Sequence, residues 1–400
     1  MGRPLLIRNA RLADGRLASL IAEDGAIRDI GAELTPPEGA IVEDAAGHLL
    51  LPGFVEAHVH LDKTLMGLPF IPHIPGGSVA ERIAAEKTLR RGLTIGVEER
   101  GGRLIEQLVA YGTVALRSHV DIDSEVGLKG LEAVLALRER YRDLIDIETV
   151  AFPQSGILRD PGTAGMLDAA MAAGADLVGG LDPAGIDGDV AGHLGIVFGL
   201  AEKHGKGIDI HLHDGGALGA FELRQIALRT LAAGLEGRVV VSHAFCLGEL
   251  GHADFAATAG LLAKAEIAIM TTAPGPVPMP PVKRLMAAGV RVISGSDNIR
   301  DAWSPFGNGD LLERAGIVCD RQDFRDDADL ELAFSLVTDA PSRVIGRGPA
   351  VVAVGAPADF VLVAASSVAE TVAKRPTERT VFKRGRKVAA AGELIGWSDG

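Results

Sequence analysis

FVEAHVH at residues 54–60 ends an apolar, β-rich run with two histidines one residue apart. Side chains alternate across a strand, so His58 and His60 share one face. Runs of the same texture follow at TVALRSHV (113–120), DIETVAFPQ (146–154), ADLVGGLD (175–182) and GIDIHLHD (207–214). GRVVVSHAF (237–245), EIAIMTTAP (266–274) and GVRVISGSDN (289–298) complete the series. Between them lie segments with helical spacing, such as LEAVLALRERY and LGIVFGLAEKHG, many ending at Gly. Eight strand candidates alternating with helices predict α/β architecture with parallel units, and eight strands close a (β/α)₈ TIM-like barrel. The rival, an open doubly wound sheet, would carry a Gly-rich nucleotide turn after its first strand. His58-Val59-His60 stands there instead.

Both ends of the chain read differently. Residues 1–50 hold short strands, LLIRNARL and SLIAEDGAIRDIG, with turns at Asp14-Gly15 and Asp24-Gly25. ADFVLVAA and ERTVFKRGRKVAAAG repeat the pattern near the other end, broken at Arg384-Gly385. The expectation is a small β-sandwich domain from residues 1–52 and 347–400, flanking a barrel over 53–346. Two independent caps are the competing arrangement. The first barrel connection, 61–112, is long, and its MGLPFIPHIPGGSV stretch (66–79) is rich in Pro and Gly. Long loops at the C-terminal ends of barrel strands make lids and pockets.

Composition narrows the class. At 47% hydrophobic residues the 400-residue chain can bury a large core. Its 40 basic and 53 acidic residues leave a net charge of −13. That balance, without a long Lys/Arg block, disfavours nucleic acid and anionic membranes as partners. No stretch is apolar and uncharged over about 18 residues, and MGRPLLIRNARLADG lacks a signal-like apolar core. With two cysteines, Cys246 and Cys319, too few for a disulfide framework, a cytoplasmic protein is expected. No surface strip singles out an interface, so a homo-oligomer stays open.

The chemistry rests on where polar residues fall. His211 and His213 repeat the H-x-H spacing on the fifth strand; His243 ends the sixth and Asp297 the eighth. A lone histidine at a strand end is usually a hydrogen-bonded core or rim residue. Four strand ends carrying His or Asp, all on the face where barrels place their sites, point instead to a metal centre. Imidazoles with one carboxylate suit zinc, iron or a neighbouring ion and leave room for water.

LPGFVEAHVHLDK, RSHVDID, VAFPQSGIL, IDIHLHD, VSHAF and GSDNIRDAWSPFGNGDLL together resemble the cytosine deaminase branch of the amidohydrolase superfamily. The resemblance spans roughly residues 50–320, and the β-rich ends match that family's split domain. It implies metal ligation by His58, His60, His211 and Asp297. It further implies that His243 polarises substrate or water, that Gln154 reads the substrate's amide edge and that Trp303 lies near a ring pocket. No lysine closes strand four (VGGLD), so one divalent ion is expected rather than a lysine-bridged pair.

The implied reaction is aminohydrolysis of a small nitrogen heterocycle, such as cytosine, isocytosine or a triazine, by metal-bound hydroxide. Asp297 would accept the water's proton, and a second acid must protonate the leaving nitrogen. Cytosine deaminase has a glutamate three residues after its strand-five ligand; this chain has Asp214, shorter in reach by roughly 1.5 Å. Asp214 is assigned the proton shuttle, with a turn or helix-cap role as its rival. Asn298 replaces another family aspartate, so recognition of the same pyrimidine edge does not carry over with the resemblance, and His213, in place of an acidic residue, is expected either to back the metal ligands or to line the pocket wall. His119 is read as structural, Lys63 as a lid ion pair and Cys246 as a small buried thiol. Two other functions compete: hydrolysis of a cyclic or acyclic amide C–N bond, and a non-catalytic binding barrel.

Overall fold

The computed structural model describes residues 3–73 and 76–397. Among them, eight parallel strands form the barrel. They are β1 (Phe54–Val59), β2 (Thr113–Asp121), β3 (Asp146–Phe152) and β4 (Leu177–Leu181), then β5 (Gly207–Leu212), β6 (Val239–His243), β7 (Ala268–Thr271) and β8 (Arg291–Ser294). Neighbours in sequence are neighbours in the sheet, with parallel pairing from β1 to β8. At the seam between β8 and β1, Asp297 N–H donates to the His58 carbonyl at 2.7 Å and an isolated bridge joins Val59 to Asp297.

Most of the strands read as near-continuous apolar runs because both faces are covered, by the barrel interior and by the outer helices. One apolar core fills the space between strands and helices, from Leu104 and Leu108 through Val197 to Val318. The long first connection contains two helices, Val79–Arg91 and Val97–Ala110. The first starts with a capping box: Glu81 N–H donates to Ser78 Oγ, and Glu81 accepts from Ser78 N–H.

The two chain ends build one nine-stranded sheet, not separate caps. Its join is antiparallel pairing of Leu49–Pro52 with Phe360–Val363, in register from Leu49–Val363 to Pro52–Phe360. A second core, including Ile7, Leu20, Leu50, Phe360 and Phe382, lies on this sheet. Buried cations tie the sheet to the barrel. Arg379 donates to both oxygens of Asp310 at 2.8 Å, and Lys383 reaches the Val114 carbonyl, Asp146 and Asp359. Among the described residues, no helix is long and apolar enough to cross a membrane.

Candidate active site

His58, His60, His211 and Asp297 come together at the C-terminal ends of β1, β5 and β8. Their ligand atoms all lie within 4.8 Å of one another. Period-two alternation on β1 turns both its histidines inward, where they are almost wholly buried. Gly295 lets β8 approach closely: a Cβ there would stand 2.6 Å from the Glu56 carboxylate and from His58 N. Glu56, itself buried, accepts from His58 N at 3.1 Å and Ser296 N at 2.8 Å, locking the two ligand-bearing turns together.

Hydrogen bonds behind the rings decide which nitrogens face the centre. Ser242 Oγ donates to Asp209, so it accepts from His58 Nδ1 at 3.0 Å. The His119 carbonyl, which can only accept, takes the proton of His60 Nδ1 at 3.1 Å. With the proton on Nδ1, each ring in its metal-binding form would turn an Nε2 lone pair toward Asp297 Oδ1, which lies 3.5 Å from His58 and 3.2 Å from His60. Burial, then the nearby Lys63 charge, pushes His60 down to about 3, and burial likewise holds His211 well below its ordinary value. Two imidazole Nε2 atoms thus converge on a carboxylate, with the His211 ring beside them. Such a cluster repels itself unless a cation sits in it, and its donor set fits zinc or iron. His58 Nε2 and both nitrogens of His211 have no hydrogen-bond partner.

Around this cluster stand the other predicted residues. His243 is buried, with Nε2 unpartnered. Its ring stacks on His213, centroids 4.4 Å apart. His213 Nδ1 is 2.8 Å from Asp182 Oδ2; burial opposes its charge, but that carboxylate prevails and raises it above the usual imidazole value. His243, Asp297 and Asp182 all have positive φ, at 72°, 61° and 34°. Non-glycine residues in that region carry strain, which concentrates at functional sites.

Asp214 lies half-buried at the rim. Its Oδ2 accepts from Gly185 N at 2.8 Å, and its carboxyl is hydrogen-bonded to Glu222 on the helix Gly216–Ala233. Gly215, not Asp214, caps that helix. Gln154 is buried and receives a hydrogen bond from Lys63 Nζ. Trp303 Nε1 donates to Glu86 at 2.8 Å, and Asn298 Nδ2 donates to Asp301 at 2.8 Å. Lys63 has ion-pair partners in Asp121, at 3.2 Å, and Glu86, at 3.5 Å. His119 is fully buried and stacks on His58 at 3.8 Å, and the Cys246 thiol is buried as read.

Sequence reasoning missed Asp182, Ser242, Asp209 and Arg117. Arg117 donates to Asp209 at 2.9 Å, which anchors the relay through Ser242 to His58. An acidic residue closing β4 was a visible signal for Asp182. The others lie within strands, where nothing in the pattern marks a support for a metal ligand.

A barrel with histidines and an aspartate converging at its strand ends defines the class of metal-dependent barrel hydrolases that act on C–N bonds other than peptide bonds. The chain belongs to the amidohydrolase family, whose model matches residues 80–395. It is 34% identical to N-isopropylammelide isopropyl amidohydrolase of Pseudomonas sp. (strain ADP), over 96% of both chains. Among solved structures, N-isopropylammelide isopropylaminohydrolase from Burkholderia multivorans ATCC 17616 superposes with a TM-score of 0.95 at 42% identity, covering 98% of this chain and 100% of that one. The 5-methylcytosine deaminase of Klebsiella pneumoniae gives 0.86 at 28% identity, over 98% and 100%.

Proposed function

We propose that this protein hydrolyses the exocyclic C–N bond of a small nitrogen heterocycle, with an alkylamino-triazine of the N-isopropylammelide kind as its first candidate substrate. The observation that carries the reading is the convergence of His58, His60, His211 and Asp297 at the strand ends, with ligand atoms all within 4.8 Å of one another. The similarity to the isopropylammelide hydrolases supports the choice of ring.

One divalent ion, zinc or iron, fits the four ligands. A second cluster of His58, His119 and Asp209 is less suited to a cation, because Arg117 already neutralises Asp209. When bound, the ion supplies a Lewis acid and acidifies water toward neutral pH. The residues then divide the work. Asp297 accepts the proton of the attacking water. His243 orients that water against the ring carbon, and His213, held by Asp182, backs the His243 ring. Asp214 passes a proton to the leaving nitrogen, so that water plus the amino-substituted ring gives the oxo ring and free amine. Gln154, Asn298 and Trp303 position the plane of the ring. The two buried free cysteines suit a cytoplasmic setting.

The test is amine and ammonia release by zinc- and iron-loaded protein from N-isopropylammelide, cytosine, 5-methylcytosine and aminopurines, with metal content measured on the same samples. Rapid release from one ring establishes the aminohydrolase and names its substrate. No release from fully metallated protein, with a carboxylate formed from a cyclic amide, replaces it by ring-opening hydrolysis.

A further inference from the structure

Gln154 has two chemically opposite ends of nearly the same shape, a carbonyl that accepts and an amide that donates. Which end faces the ring decides what the site can read. Lys63 settles the question, because an ammonium is a donor only and its hydrogen bond to Gln154 identifies the atom it meets as Oε1. Turning the amide over would set its two N–H groups against that ammonium.

Lys63 is itself held fast. It is 7% exposed, with Asp121 Oδ1 at 3.2 Å, Glu86 Oε2 at 3.5 Å, and the Phe152 and Trp303 rings at 5.3 and 5.5 Å. Glu86 is fixed in turn by Trp303 Nε1. Gln154 Nε2, by contrast, donates to no protein acceptor in the hydrogen bonds of the described residues. It lies two residues beyond Phe152, whose ring stacks on the ligand His211 with centroids 4.0 Å apart. The Lys63 ammonium that holds Gln154 therefore lies over the same Phe152 ring that stacks on His211, which puts the pair on the wall of the candidate site.

We infer that Lys63 is a specificity-determining residue: by holding Oε1 it makes Gln154 a donor, so the site selects rings with an oxo oxygen at that edge over rings with an amino group there. This inference rests on the aminohydrolase reading and adds to it the residue that orients the ring-reading amide. An amino group at the same edge would meet Nε2–H donor to donor, leaving both unpaired in a desolvated pocket. Such a mismatch costs more than the loss of one contact.

The experiment compares two triazines with the same alkylamino leaving group, one carrying two oxo groups and the other two amino groups. Zinc-loaded wild-type, Lys63→Met and Gln154→Glu proteins are assayed for kcat/KM and for equilibrium binding of each ring. The wild type is expected to favour the dioxo ring by about a hundredfold, as a site built for one hydrogen-bond pattern does. Lys63→Met, which frees the amide to turn, should shrink that preference at least about tenfold by weakening the dioxo ring and relieving the diamino one. Gln154→Glu keeps a partner for Lys63, guarding against misfolding, and should lose the dioxo preference through loss of the donor. Equal loss for both rings in both variants, or no wild-type preference in binding, overturns the inference. A dioxo preference in binding without any hydrolysis sinks the aminohydrolase reading and leaves the role of Lys63 standing. Binding of neither ring defeats both.

Discussion

The ring of His213 lies nearly parallel to that of His243, with planes 21° apart and centroids 4.4 Å apart, while its Nδ1 sits 2.8 Å from Asp182. Asp182 also accepts from His213 N–H and donates its own N–H to the His211 carbonyl at 3.0 Å. One aspartate therefore sets the ring that supports His243 and braces the strand that carries the candidate ligand His211. Asp182→Asn should leave metal content unchanged and lower turnover about tenfold to a hundredfold, a usual cost for displacing an orienting group. Metal analysis alongside steady-state kinetics separates the two effects; a variant with wild-type rates would remove the pair from the mechanism.

Asp214→Asn should also retain its metal and lose most turnover, about a hundredfold or more if the carboxyl moves a proton. Asparagine can still accept from Gly185 N, so the loop should keep its place. Near wild-type rates on a verified substrate would assign Asp214 to the turn alone.

His211→Ala should lose metal and stability together, because ligand binding contributes to folding. The ring is buried against Phe152, so its loss also leaves a void. Thermal unfolding with and without added zinc reads both: wild type should be raised by the ion and the variant should not.

Glu222 gives stability a pH dependence. Burial, together with the neighbouring charges of Asp214 and Asp182, raises its carboxyl from 4.5 to about 8. Between those values the folded chain keeps a proton that the unfolded chain gives up. Its contribution is therefore complete below 4.5 and is lost as the pH rises through about 8. Glu222→Gln mimics the protonated form and can still accept from Ala184 N. Denaturation midpoints across this range should fall less steeply for the variant, and parallel curves would reject the assignment.

Arg379 joins the end sheet to the barrel through a two-pronged pair with Asp310, and donates a further hydrogen bond to the Tyr111 carbonyl at 2.7 Å. Asp310 also caps the helix Leu311–Gln322. Arg379→Met should cost about 3–5 kcal/mol, since it strands a buried carboxylate. Urea denaturation measures it; a change below about 1 kcal/mol would place the pair among weak surface contacts.

The barrel was legible because its signals are local. Alternation along FVEAHVH aims His58 and His60 to one face whatever the rest of the chain does, and Asp297 follows an apolar run of the same kind. The end sheet was legible as texture, though only the pairing of Leu49–Pro52 with Phe360–Val363 distinguishes one sheet from two. What stayed hidden depends on rotamers meeting across long stretches of chain. Lys63 and Gln154 are 91 residues apart, Arg117 and Asp209 are 92 apart, and Ser242 and Asp209 are 33 apart. Periodicity states which way a side chain leaves its strand, not which neighbour it finds. Asp214 illustrates the limit: its position after β5 was plain, while its engagement with Gly185 and Glu222 was not.

The link between Asp297 N–H and the His58 carbonyl gives the barrel an unusual fastening. The two strands that meet there are the first and last of the hoop, and each carries a ligand at the point of closure. An ion held by His58 and Asp297 would act as a rivet through overlapping staves. Stripping it should let the amide hydrogens of these strand ends exchange faster while β3 and β4, on the far side, stay protected. Catalytic competence and the closure of the barrel would then depend on the same fastener.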